Sequence, residues 1–334
     1  MTGLPDWEHF HAHADERLAD VDAALASRFG GDHRGRQPVH TCYIPADRYH
    51  RHSHREWGDV ALETLAGHGK RPRHFAHLID ADPDLIEQIW PALRAKLENE
   101  PIEDLRVDFE DGYGRRGDAE EDEHIAKALD GMATNATPFI GARIKSFEAI
   151  TRDRALRTLE LLVTGLAGRL PEEFVITLPK VTYVEQVEVM ADACAVLEKQ
   201  AGLHPGTLRF EVQVETPQAI IGPDSAITVA RMIDAAGGRL TAFHYGTYDY
   251  SAALGVSAAF QTLDHPVADF ATSVLQVATA QTGVRVSHGS TNILAVGSGH
   301  EVAAAWQNHH RLVRRSLERG IYQGWDLHGS QLPT

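Results

Sequence analysis

Glu215 closes a run in which Phe210, Val212 and Val214 alternate with Glu211, Gln213 and Glu215. That alternation is the pattern of a strand with one apolar and one polar face, and Pro217 ends it. The strand stands between two helical patterns, which calls for a parallel strand covered by helices. Its polar face then looks into a barrel or cleft, where an uncompensated carboxylate costs several kcal/mol. Glu215 therefore requires a cation, either a basic side chain or a metal ion.

The same parity runs through other segments. Arg106, Asp108 and Glu110 alternate with Val107 and Phe109, and Arg143 and Lys145 with Ala142 and Ile144. Arg285 sits between Val284 and Val286, and Asp326 and His328 alternate with Trp325 and Leu327. With the apolar set packed on outer helices, the polar set points inward. Counting Lys180, the lumen gathers Arg106, Arg143, Lys145, Lys180 and Arg285 against Asp108, Glu110, Glu211, Glu215 and Asp326. Such matching is what buried charges require. Those that fall at the C-terminal ends of strands, where barrel enzymes keep their chemistry, are Glu110, Arg143, Lys180, Glu215 and the loop residue Asp249.

These residues must be carried by repeated strand and helix units. Strands are expected at 39–45, 105–110, 139–145, 174–181, 208–215, 240–246, 284–288 and 324–328, and helical patterns separate them. This predicts an α/β fold, a (β/α)8 TIM barrel, over 39–334, preceded by an N-terminal helical extension over 1–38. Within that extension, Trp7, Phe10, Ala14, Leu18, Val21 and Leu25 recur at helical spacing, so 6–29 is expected to pack on the barrel as an amphipathic helix. The run HFAHLID, 74–80, reads either as a ninth strand or as an insertion in the first βα unit, and the regular count of eight favours the insertion.

Composition removes several classes of function. The 334 residues hold 32 basic and 47 acidic side chains, a net charge of −15, which argues against nucleic acid or an anionic membrane as partner. No run approaches a membrane span and the N-terminus lacks the features of a signal peptide, so a cytoplasmic location is expected. Cys42 and Cys194 are the only cysteines and suggest neither a disulfide framework nor a Cys-based zinc site.

The segments VDFEDG (107–112), ARIKS (142–146), LPKV (178–181), VETPQAI (214–220), FHYGTYDYSAALG (243–255) and DLHGSQ (326–331) resemble, in this order, the citrate lyase beta-subunit-like proteins of the HpcH/HpaI aldolase group. VETPQAI together with the Gly-x-x-Asp of GTYD is the most specific part of the likeness. The resemblance implies a homo-oligomeric barrel, a trimer or hexamer, with Mg²⁺ or Mn²⁺ held by Glu215 and Asp249. It implies that Arg143 binds a substrate carboxylate, with Gly246 and Thr247 bordering the substrate. Glu110 and Asp111 then orient metal waters, Lys180 neutralises one of them, and His328 borders the site. The implied chemistry is carbon–carbon cleavage or formation next to a 2-oxo acid or an acyl-CoA thioester. The physics is consistent with it, because two carboxylates on Mg²⁺ leave room for a 2-oxo acid to chelate.

Three readings compete with the metal-dependent 2-oxo acid lyase: a CoA-thioester lyase of the malyl-CoA or citramalyl-CoA type, a Schiff-base aldolase using Lys180 or Lys145, and a non-catalytic metabolite-binding barrel. His9, His11 and His13, and again His50, His52 and His54, read as surface histidines, although His50 or His54 could reach the site from the first βα loop. His244 and His288 lie near strand ends, where a proton carrier and a structural histidine look alike. GSTNILAVGSG, 289–299, reads as a βα turn and lacks the spacing of a phosphate-binding loop.

Overall fold

Each of the eight alternating runs forms a strand in the computed structural model, which describes residues 6–31 and 35–334. The strands are β1 His40–Pro45, β2 Asp104–Asp108, β3 Phe139–Arg143, β4 Phe174–Leu178, β5 Arg209–Val214, β6 Leu240–Tyr245, β7 Arg285–Ser287 and β8 Gly324–Asp326. All pair in parallel, in the order β7-β6-β5-β4-β3-β2-β1-β8. The ring is drawn nearly shut between β7 and β8 by a parallel bridge from Ser287 to Gln323. The amide of His288 donates to the Gln323 carbonyl at 2.7 Å, and that of Trp325 to the Gly289 carbonyl at 3.2 Å. The fold is a TIM-type barrel, in which ring closure removes the exposed sheet edge.

Helices cover the outside. α1 spans Trp7–Arg28; α2 Ser53–Thr64, α3 Pro72–Ile79 and α4 Pro83–Asn99 lie between β1 and β2; α5 Asp118–Ala133, α6 Arg152–Gly165 and α7 Val184–Ala201 follow the next three strands. β5 is followed by α8 Pro217–Ile220 and α9 Thr228–Ala235, β6 by α10 Thr247–Ala253 and α11 Pro266–Thr279, and β7 by α12 Gly299–Glu318. The outward residues Cys42, Ile44, Leu105, Val107, Ile140, Ala142, Ile176, Phe210 and Val212 join the helices in one core. Among the described residues no helix is long and apolar enough to cross a membrane.

Residues 74–80 lie mostly in α3, so the insertion is helical. Pro72 occupies its first turn, where the missing N–H costs nothing. Phe75, Ala76 and Ile79 then fall on one face and form a second core with Ala61, Leu65, Ile86, Leu97 and Trp306, in which Phe75 meets the Trp306 ring edge-on at 5.2 Å. Helical periodicity over a short apolar run is indistinguishable from a buried strand without that second surface.

Three expectations fail for local reasons. α1 forms, but it buries no residue: Trp7 is 77% and Leu25 50% exposed. Arg28, at its last turn, holds Asp234 of α9 at 2.6 Å, while Leu18 and Val21 of the stripe remain about half exposed. On β8 the parity is reversed. Trp325 faces the lumen, where its indole donates to His244 Nδ1 at 2.9 Å. Asp326 faces outward, between His40 Nδ1 at 2.5 Å and His309 Nε2 of α12 at 3.0 Å. A strand of three residues carries too little pattern to set its own register. β3, finally, ends at Arg143, so Lys145 leaves the lumen: its ammonium donates to Glu121 of α5 and to the Phe109 carbonyl, each at 2.6 Å.

The middle of the lumen is a charge network. Arg106 donates from Nε and Nη2 to Glu211 at 3.0 and 2.9 Å, and from Nη1 to Asp104. Thr177 also donates to Glu211, at 2.5 Å. Since Trp325 can only donate, His244 accepts at Nδ1 and carries its proton on Nε2, 3.0 Å from Glu211 Oε2.

His288, just past β7, is 2% exposed and bonds Ser316 of α12 at 2.7 Å. Burial, reinforced by Arg319 and Arg315, lowers its pKa to about 4. The unfolded chain therefore binds this proton first as pH falls. The stabilisation is complete above about 6.5 and is lost as pH drops toward 4, to a ceiling of about 3 kcal/mol. Urea unfolding at pH 7.5 and 5 is expected to show the loss, and His288→Gln to reduce it; an unchanged pH dependence in the variant would exclude His288 as its source.

Candidate active site: carboxylates at the mouth of the barrel

The C-terminal ends of β2, β5 and β6 bring three acids together. Ligand oxygens of Asp111, Glu215 and Asp249 lie within 4.8 Å of one another. Glu215 follows the last residue of β5 and is 5% exposed. Its side chain lies against Gly246, where an added methyl would stand 2.3 Å from Glu215 Cγ; glycine is required there by close approach. Asp249 sits in the first turn of α10, and Asp111 in the loop after β2. The Asp111 and Asp249 side chains are 55% and 47% exposed, so the cluster opens to solvent on one side.

Lys180 ties the cluster. Its φ of +53° is a conformation that side chains seldom adopt. Its backbone N–H donates to Glu215 Oε2 at 2.9 Å. Its ammonium reaches Asp249 at 2.5 Å, Asp111 at 3.0 Å and Glu110 at 3.2 Å. Burial alone would lower the ammonium pKa, but Glu215, Glu110 and their neighbours raise it. Schiff-base chemistry needs a lysine that sheds its proton, and these surroundings oppose that for Lys180. Lys145 is held outside the lumen by Glu121.

The acids differ in state. Burial raises the Glu215 pKa, against the pull of Lys180 and Arg143. Glu110 is pushed up to about 8 by burial, against Arg143 and Lys180, with Asp111 and Glu215 adding to the rise. For Asp111 burial would do the same, but Lys180 and Arg143 prevail and lower it.

Arg143 lies deeper, 6% exposed. It clamps Asp108 through Nε and Nη2, both at 2.7 Å, and its guanidinium covers the Tyr43 ring at 4.7 Å. Nη1 is left for Glu110 at 3.6 Å and Gln213 Oε1 at 3.5 Å. Among the described residues Gln213 Nε2 and the Tyr43 hydroxyl are buried without a partner, which is costly unless a water or ligand meets them. Gln213 was legible as an inward residue two before Glu215; Tyr43 was not singled out, because HTCYIP carries no charge to mark its face.

Other expected site residues are placed otherwise. Thr247 is buried, and its hydroxyl donates to the Ser290 carbonyl at 3.3 Å, so it joins α10 to the loop after β7. That loop ends in Ser298, whose side chain caps α12. His328 bonds Ser330 at 2.8 Å and caps the turn Gly329–Gln331; none of its hydrogen bonds reaches the acids. His50 pairs with Glu56 at 3.0 Å on the surface.

The donor set fits a hard divalent cation: three carboxylates, one of them buried and two facing solvent, leave positions for water and a chelating substrate. A second group of potential ligands, His40, Cys42 and Asp326, fits less well. His40 Nε2 accepts the Glu103 amide at 3.1 Å, which puts the ring proton on Nδ1, facing Asp326.

Residues 18–334 match the family described as a domain of unknown function (DUF6986). No curated protein matches the chain. Among solved structures it is similar to Haloferax volcanii malate synthase, 14% identical over 90% of this chain and 75% of that one, with a TM-score of 0.62. The magnesium/glyoxylate complex of the same enzyme is 13% identical over 90% and 75%, with a TM-score of 0.60. A citrate lyase from Burkholderia xenovorans is 18% identical over 89% and 75%, with a TM-score of 0.58. At such identities the likeness is one of fold, and it agrees with the citrate lyase-like order of motifs.

Proposed function

The chain belongs to the DUF6986 family, and from the site it carries we propose that it is a divalent-metal-dependent carbon–carbon lyase or aldolase acting on a 2-oxo acid. The observation that carries this reading is the convergence of Asp111, Glu215 and Asp249 beside Arg143, whose Nη1 has only long contacts, to Gln213 at 3.5 Å and Glu110 at 3.6 Å. Support at the level of fold comes from a citrate lyase and from a malate synthase whose complex contains magnesium and glyoxylate.

Glu215 and Asp249, with Asp111, would hold Mg²⁺ or Mn²⁺. Bound there, the ion supplies Lewis-acid stabilisation of negative charge developing on a substrate oxygen. Nη1 of Arg143 and Nε2 of Gln213 are the donors for a substrate carboxylate, and Asp108 keeps the guanidinium plane fixed while they act. Lys180 balances the acids and, through its backbone N–H, holds Glu215 in place. Glu110 lies between the two cations and can hold a proton near the reacting carbons.

The test is calorimetric titration of Mg²⁺ into metal-stripped protein, with and without pyruvate, oxaloacetate or glyoxylate, followed by turnover with each oxo acid in the presence and absence of CoA thioesters. Binding that an oxo acid strengthens and that Glu215→Gln weakens by ~100-fold is expected. Turnover only with a thioester would move the assignment to a CoA-dependent lyase. Absence of both metal binding and turnover would leave a non-catalytic barrel.

A further inference from the structure

The direct ion pairs of the lumen leave one cation out. Arg106 has Glu211 and Asp104, Arg143 has Asp108, and Lys180 has Glu110, Asp111 and Asp249. Arg285, the first residue of β7, has no such partner: among the described residues no carboxylate pairs with it, and its one hydrogen bond runs from Nη1 to the Arg36 carbonyl at 3.2 Å. Its register partner on β6 is Ala242, toward the start of the strand, so Arg285 stands at the end of the barrel opposite Glu215 and Asp249.

A cavity of about 450 Å³ opens there, lined by Arg285, Arg36, Arg209, Glu173, Thr241 and Gly283 among others. Arg36 is answered by Glu100 and Glu103, the latter at 2.9 Å, and Arg209 by Glu173 at 2.8 Å. Among the described residues one guanidinium at the cavity wall is thus left without a direct ion pair. Burial pulls the Arg285 pKa below its ordinary range; Asp104, Glu211 and, from the cavity wall, Glu173 oppose that pull and Arg106 adds to it. A planar fork with two further guanidinium groups nearby matches an oxyanion better than it matches water or a point cation.

We propose that this cavity at the N-terminal end of the barrel is a second binding site, for a small oxyanion of the phosphate type, with Arg285 as its principal contact. It is separate from the carboxylate cluster and does not depend on the reaction proposed there.

The experiment is calorimetric titration of inorganic phosphate, phenyl phosphate and acetate into metal-free protein in a phosphate-free buffer. It is repeated on Arg285→Gln, on Arg285→Lys and on Glu215→Gln. Saturable one-site binding of phosphate is expected in the unaltered chain and in Glu215→Gln. In Arg285→Gln it should weaken by ~10-fold or more, the scale of a lost charge-assisted hydrogen bond, with Arg285→Lys falling between. Phenyl phosphate binding as well as inorganic phosphate would identify a monoester as the ligand class, and exclusion of phenyl phosphate the free ion. Near-UV circular dichroism checks that each variant is folded; should Arg285→Gln fail to fold, Arg285→Lys carries the comparison. No saturable phosphate binding, tighter binding of acetate than of phosphate, affinity unchanged in both Arg285 variants, or loss in Glu215→Gln alone would each overturn the proposal.

Discussion

Replacing Arg106 by Met is expected to cost about 3–5 kcal/mol of unfolding free energy, the scale for removing one partner of a buried ion pair. Arg106 is 1% exposed and gives charged hydrogen bonds to both Glu211 and Asp104. Met keeps an unbranched apolar stem but leaves two carboxylates facing one another in the lumen. In the intact chain Arg106 and His244 overcome burial and hold the Glu211 pKa well below the usual range. Without Arg106, burial dominates and that pKa rises above its unfolded value. A group so raised contributes stability that is present at low pH and lost as pH climbs through the raised pKa, so the deficit should shrink between pH 8 and pH 5. Urea unfolding at both pH values measures it. A deficit below ~1 kcal/mol, or one that grows toward pH 5, would show that the carboxylates find other partners.

The largest expected effect on activity is that of Arg143→Lys, a fall in kcat of ~10²–10³ at saturating Mg²⁺, the scale of losing one oriented donor to developing charge. Lysine keeps the charge but not the fork that bonds Asp108 through two nitrogens while presenting a third. Stability should change little, because Asp108 still accepts the Glu110 and Gly112 amides at 2.9 and 2.8 Å and the positive charge remains. Steady-state kinetics on the oxo acid found by titration, beside a thermal melt, would separate the two. A kcat within threefold of the unaltered chain would remove Arg143 from the reaction, and a collapse of the melt would assign it to structure instead.

How far each feature could be read depends on the length of pattern that carried it. β5 has six residues of strict alternation, and Glu211, Gln213 and Glu215 all face inward as expected. β8 has three, and its orientation was decided by packing: Trp325 fills the lumen between Tyr43, at 4.8 Å, and His244, while Asp326 serves His40 and His309 outside. Past the end of β3, alternation no longer constrains a side chain, and Lys145 turned to the helix behind it. α1 shows the converse, since its 3.6-residue period sufficed to make a helix but said nothing about a surface to receive it.

By itself the sequence determined the eight-strand parallel architecture, the inward placement of the charges on β2, β3 and β5, and the requirement that Glu215 have a cation. Those follow from local periodicity and from the cost of burying charge, which every chain segment carries within itself. Tertiary structure alone decided that Asp111 joins Glu215 and Asp249, that Lys180 bridges all three acids of the mouth, and that Arg285 has no carboxylate in direct contact among the described residues. Such contacts join residues from 35 to 138 positions apart, and no local pattern records which loops a closed ring of strands will bring face to face.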